Sequence, residues 1–236
     1  MNIKSEVSPV YESPLLSIVI PVFNEKENIQ PLYEELKTEL EKINKTYEII
    51  FVDDGSNDGT KDELLKLNDI TVKPIFIEKN SGISAALEKG FASSSGKLII
   101  SMDGDLQNDP RDIHRLLQEI DGYDAVVTWR RKRKDNFIRR VLSKTGNLLR
   151  NLIIGESIKD SSSTMRIYQS SVIKKIHLSN GMHRFIPTLL RIEGYKIKEV
   201  PINHRPRKCG KSKINLFKRI LKTSRDVFIV RKLRKK

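Results

Sequence analysis

The chain has 236 residues, 38% apolar and 31% charged, with a formal net charge of +14. That balance supports a sizeable folded core and excludes a wholly disordered chain, a collagen repeat or a coiled coil. A single cysteine, Cys209, excludes a disulfide framework; Met1 to Ser13 lacks a secretory leader's apolar stretch, and no apolar run approaches the roughly 20 residues that span a bilayer.

Residues 1–14 show no periodicity and read as a loose N-terminal arm. Leu16–Phe23 is an apolar run of strand length. A helical stretch follows, with Ile29, Leu32, Leu36, Leu40 and Ile43 at three- and four-residue spacing. Tyr47–Val52 reads as a second strand and ends in Asp53-Asp54-Gly55. A helix near Gly59–Leu67, a strand at Val72–Ile77 and a helix near Ile83–Ser94 come next. Lys97–Met102 is a strand that also ends in acid, Asp103-Gly104-Asp105. Pro110 suits the first turn of a further helix, and Ala125–Trp129 is another strand. Residues 136–154 and 182–193 read as helices, and Ile197–Ile202 as a strand. Repeated strand–helix units predict an α/β fold with a mostly parallel sheet covered by helices. This domain spans 15–213. Residues 214–236 read as a basic amphipathic helix, with Phe217, Ile220, Leu221, Val227 and Phe228 on one face.

The net charge is unevenly divided. Residues 1–120 hold 13 basic against 22 acidic residues, and 121–236 hold 31 against 8. A uniformly basic protein would suggest nucleic acid. Here the front half offers carboxylates and the back half awaits an anion.

In open α/β sheets ligands bind beyond the carboxyl ends of the strands. Both acid clusters should therefore share one rim, with Gln107 close by. One such cluster alone is as well explained by turn chemistry. Two on one rim suit a hard divalent cation, Mg²⁺ or Mn²⁺, which binds through one or two carboxylates and substrate phosphates. No G-x-x-x-x-G-K-[ST] loop and no helix-opening G-x-G-x-x-G occurs, which argues against a P-loop NTPase or a dinucleotide dehydrogenase. The four histidines are scattered, and none is assigned a role.

Four blocks stand in order: Pro21-Val22-Phe23-Asn24-Glu25; Val52-Asp53-Asp54-Gly55-Ser56 with Asp58-Gly59-Thr60; Asn80-Ser81-Gly82 with Ala85-Ala86-Leu87; and Met102 to Gln107. Together they resemble family 2 glycosyltransferases of the GT-A, Rossmann-like fold. Further on, Arg130, Arg139 with Ser143 and Asn147, Asp160 to Arg166, Glu199-Val200-Pro201 and Arg207 to Lys213 resemble dolichyl-phosphate mannose synthases and bacterial polyprenyl-phosphate glycosyltransferases.

The resemblance implies inverting transfer of a sugar from a nucleotide-diphosphate donor to a polyprenyl phosphate. It would place Pro21, Phe23, Glu25, Val52 and Asp54 around the base and ribose, with Phe23 where a Tyr is common. Asp103, Gly104 and Asp105 would face the sugar diphosphate, with Asp105 and Gln107 on the metal. Arg130, Arg139 and Ser143 would meet the acceptor phosphate, and Arg207 and Lys213 the donor diphosphate. Trp129 departs from a position that is usually small, and Ser161 to Met165 departs from a stretch that usually holds a glycine.

A lipid phosphate is already an anionic nucleophile, so the site must mainly position it and neutralise the leaving group. The expected setting is the cytoplasmic face of a membrane. The chain would dock there through 214–236 or a membrane-protein partner, with no role for nucleic acid. Two rivals stand beside this. A saccharide hydroxyl acceptor would need a carboxylate base, for which Asp160 is the candidate. A non-catalytic lipid- or nucleic-acid-binding module would bind no diphosphonucleotide.

Overall fold

Leu16, Ile18, Val19 and Ile20 are apolar on both faces of one strand, so that strand must be covered on both sides. It is β1, Leu16–Val22, near the middle of a seven-stranded sheet. The computed structural model describes residues 14–131, 155, 158–179, 181–203, 205–206 and 230. The elements after β1 are α1 (Lys26–Ile43), β2 (Tyr47–Asp53), α2 (Thr60–Lys66), β3 (Val72–Phe76), α3 (Ile83–Ser93), β4 (Leu98–Ser101) and α4 (Asp112–Glu119). Then come β5 (Ala125–Arg130), β6 (Arg166–Gln169), α5 (Ser170–Ile173), α6 (Ile186–Ile192) and β7 (Ile197–Ile202).

The strand order is β3-β2-β1-β4-β6-β5-β7. From β1 the chain steps outward to β2 and β3, then returns to lay β4 on the other side of β1. That reversal opens a crevice at the carboxyl ends of β1 and β4. Pro21 is tolerated in a central strand because β4 stops opposite Val19, so no ladder on that side needs its missing N–H.

One core layer holds Ile29, Leu32, Leu36 and Leu40 of α1 with Ile113 and Leu116 of α4. The other face is covered by Ala86, Leu87 and Phe91 of α3 and by Ile186 and Leu190 of α6. Phe91 meets the Tyr168 ring edge-on at 5.8 Å.

The α/β reading holds, with three adjustments. β6 is a four-residue strand, antiparallel to both neighbours and too short to show a period. The helix expected over 182–193 divides into a 3₁₀ turn, Met182–Phe185, and α6, because Pro187 favours the first turn of a new helix. α4 begins at Asp112, two residues beyond Pro110, whose carbonyl accepts the Ile113 amide. The stretch 136–154 and the N-terminal arm lie outside the described residues. Within 214–236 only Val230 is described; it is helical and buried in the second core layer. Among the described residues no helix is long and apolar enough to cross a membrane.

Candidate active site

Turn chemistry stitches the first two loops of the rim together. Asn24, at φ 53°, accepts the Asn57 amide on Oδ1 at 2.8 Å and donates its own amide to Ser56 Oγ at 2.8 Å. Glu25 donates its amide to Thr60 Oγ1, and Lys26 to Asp58 Oδ2. Gly55, at φ +74°, lies so close to the next loop that a Cβ there would stand 2.8 Å from the Asn80 amide nitrogen. The polar residues of the first two blocks therefore build the walls of the rim.

Asp54 is buried at the end of β2, and its two oxygens accept the amides of Ser81 and Gly82, each at 2.8 Å. It thereby fixes the loop that opens α3. Val52 is fully buried in the second core layer and sits in the sheet between Pro21 of β1 and Ile75 of β3. Pro21 lines a small cavity with Ser101, Met102, Asp103 and Thr164, and Phe23 and Glu25 follow β1, each partly exposed.

The acid loop follows β4. Gly104 is required by close approach: a Cβ there would meet Val22 Cγ1 at 2.6 Å. Asp103 donates its amide to Asn108 Oδ1, and Gln107 its amide to Asp105 Oδ1 at 3.1 Å. Leu106 between them is buried in a left-handed conformation, φ 61°, at a cost on the order of 1 kcal/mol. Desolvation by the rim, and then the Asp105 carboxylate, push the Asp103 carboxyl well above the usual carboxylate range. Thr164 donates to Asp103 Oδ2 at 2.6 Å, and Arg130 and Arg166 add positive potential; all three oppose the rise.

The donor set here is oxygen only: the carboxylates of Asp103 and Asp105 and the amide of Gln107. Among the described residues no three His, Cys, Asp or Glu side chains converge as a complete metal cage. An incomplete oxygen site with crowded negative charge fits a Mg²⁺ or Mn²⁺ ion whose remaining ligands come from substrate phosphates.

On the far side, Arg130 ends β5 and grips Asp160 with two bonds, Nε to Oδ2 at 2.7 Å and Nη2 to Oδ1 at 3.0 Å. Asp160 Oδ1 also accepts the Ser162 amide. Trp129, beside this pair, carries Lys159 Nζ 5.1 Å above its ring. Arg139, Ser143, Arg207 and Lys213 lie outside the described residues.

Two relationships arise only in the fold, although Thr164 and Arg166 stand in a block that carries the resemblance. Antiparallel β6 enters the sheet at this rim, opposite Ser101, and brings Thr164 and Arg166 to Asp103. Arg166 is buried; it donates to the carbonyls of His183 and Ser161, and its Nε finds no partner among the described residues. Arg205 follows β7 to the acid loop and pairs with Asp109 at 2.7 Å and with Glu35. Its sequence signal was submerged in a basic run.

The model of the glycosyl transferase family 2 matches residues 17–177. The chain belongs to glycosyl transferase family 2. Its relatives include a dodecaprenyl-phosphate galacturonate synthase of Rhizobium johnstonii, 35% identical over 92% of this chain and 67% of that protein. An undecaprenyl-phosphate 4-deoxy-4-formamido-L-arabinose transferase of Salmonella typhimurium is 35% identical over 87% of this chain and 64% of that protein. The chain thus spans about two thirds of the length of these relatives. Among solved structures, glucosyl-3-phosphoglycerate synthase from Mycobacterium tuberculosis, in complex with Mn²⁺, UDP-glucose and phosphoglyceric acid, superposes with a TM-score of 0.71 at 17% identity. That likeness covers 92% of this chain and 79% of the other and shows the shared GT-A fold.

Proposed function

We propose that this family 2 chain moves a sugar, with inversion, from a nucleotide-diphosphate donor of the GDP-mannose or UDP-hexose type to a polyprenyl phosphate. The two relatives are both named for transfer to a polyprenyl phosphate, and that supports the acceptor class. The observation that carries the reading is the Arg130–Asp160 fork. Asp160, the carboxylate that a hydroxyl acceptor would need as a base, has both oxygens engaged by Arg130. A phosphate acceptor arrives already ionised and needs no base.

In this reading the nucleotide lies over Pro21, Phe23, Glu25 and the Val52–Asp54 edge. Asp103 and Asp105 face the sugar diphosphate, and Asp105 and Gln107 would hold Mg²⁺ or Mn²⁺. Such an ion supplies charge neutralisation to the departing diphosphate. Arg207 and Lys213 would add to that neutralisation, and Arg130, Arg139 and Ser143 would orient the acceptor phosphate. The basic segment 214–236, or a membrane-protein partner, would hold the enzyme at the cytoplasmic face of the membrane.

The test begins with thermal shift against UDP, GDP, CDP and TDP, each with Mn²⁺ and with EDTA. A bound nucleotide at a hundredfold its dissociation constant stabilises the native state by about 2.7 kcal/mol. The expected result is a metal-dependent shift with one nucleotide, followed by sugar transfer to polyprenyl phosphate in vesicles. No shift with any of the four would overturn the catalytic reading. Transfer to a saccharide hydroxyl, but not to the lipid phosphate, would replace the acceptor.

A further inference from the structure

Gln107 is held from three directions. Its amide goes to Asp105 Oδ1 at 3.1 Å, its carbonyl accepts the Arg205 amide at 3.0 Å, and its Nε2 donates to the Arg205 carbonyl at 3.4 Å. The residue before it, Leu106, is buried in a conformation that a leucine adopts only under constraint. A loop with that geometry needs an external anchor, and the Arg205 side chain supplies one. Its guanidinium spans Asp109, just after the acid loop, and Glu35 on α1. Asp109 is itself buried and is gripped from the other side by Arg111, with Nη2 at 2.6 Å. The segment after β7 is therefore tied to α1 and to the acid loop around one arginine.

We infer that Arg205 is a positioning residue for metal binding: its double ion pair to Asp109 and Glu35 fixes the backbone that holds Gln107 in place beside Asp105. The inference rests on the proposed metal role of Asp105 and Gln107. Arg205 itself touches neither metal nor substrate in this scheme. Residues that orient metal ligands typically change metal affinity by roughly ten- to a hundredfold when removed.

The test uses the full chain and reads free Mn²⁺ by electron paramagnetic resonance, with saturating UDP and, in parallel, GDP. Arg205→Ala is expected to weaken Mn²⁺ binding at least roughly tenfold, Glu35→Gln less, and Arg205→Lys to recover part of the loss. Arg111→Ala removes only the second partner of Asp109 and leaves the Arg205 pairs to Asp109 and Glu35, and it is expected to weaken Mn²⁺ binding less than Arg205→Ala. A melting curve for each variant separates loss of metal from loss of fold. Glu35→Gln alters only the α1 partner and keeps the question open to measurement if Arg205→Ala does not fold. Folded Arg205 and Glu35 variants that lose melting temperature but bind Mn²⁺ like wild type would overturn the inference and leave the proposed function standing. A wild-type chain that binds no Mn²⁺ with either nucleotide would overturn both.

Discussion

Thr164 donates its hydroxyl to Asp103 Oδ2 at 2.6 Å, joining residues 61 positions apart across the β4–β6 junction. This bond favours the ionised carboxylate against desolvation and the Asp105 charge. Thr164→Val should therefore raise the Asp103 titration point further and cost about 1–2 kcal/mol where Asp103 is ionised. The sign follows from the bond: the stabilisation is present at high pH and fades as Asp103 takes up its proton. Urea denaturation should show a larger deficit at about pH 8 than at about pH 4, and an equal deficit at both would refute it.

Asp54 offers a second stability test. Its carboxylate satisfies two backbone amides at the opening of α3 from within a buried position. Asp54→Ala leaves both donors without a partner and should cost on the order of 2–4 kcal/mol. Asp54→Asn keeps one acceptor and turns an NH₂ toward the second amide, so it should fall between. Denaturation midpoints of the two variants check the ranking.

For the acceptor, Asp160→Asn separates two chemistries. If Asp160 only holds Arg130 in place, the variant should retain turnover with a raised KM for lipid phosphate, losing roughly tenfold in kcat/KM or about 1.4 kcal/mol. If Asp160 is a general base, kcat should collapse by a factor of 10² or more while donor binding stays intact. Steady-state kinetics with the donor and acceptor varied in turn distinguish them.

Asp112 gives a pH signature away from the site. Burial first, and then the nearby Asp109 charge, raise its carboxyl from 3.8 to about 6, and its Oδ2 finds no partner among the described residues. The native state therefore holds this proton more tightly than the unfolded chain. Stability contributed by Asp112 falls as pH rises from about 4 through about 6 and stays lower above it. Asp112→Asn should gain on the order of 1 kcal/mol near pH 7, after allowance for screening at a partly exposed group. The gain should vanish near pH 3.5, and melting curves across that range decide it.

The strands β1, β2, β4 and β5 were legible because each is a short apolar run, and α1 because its buried stripe has a helical period. The acid loop was legible too, since Asp103-Gly104-Asp105 follows a strand and strand ends form one rim. The roles of Asp54 and Val52 were harder to read: a string of letters shows neither that a carboxylate is consumed by two amides nor that a side chain points into the core. β6 escaped because Arg166-Ile167-Tyr168-Gln169 is too short for a period, and with it went the Thr164–Asp103 bond. Arg205 was hidden by its basic neighbours, all alike in sequence until a fold selects the one that meets Asp109 and Glu35. Sequence by itself determined the apolar pattern, the turn residues and the order of the motifs, because these are local properties of neighbouring residues. Only the tertiary structure decided which distant partners neutralise each charge, because long-range pairing depends on strand order and on the direction in which β6 enters the sheet.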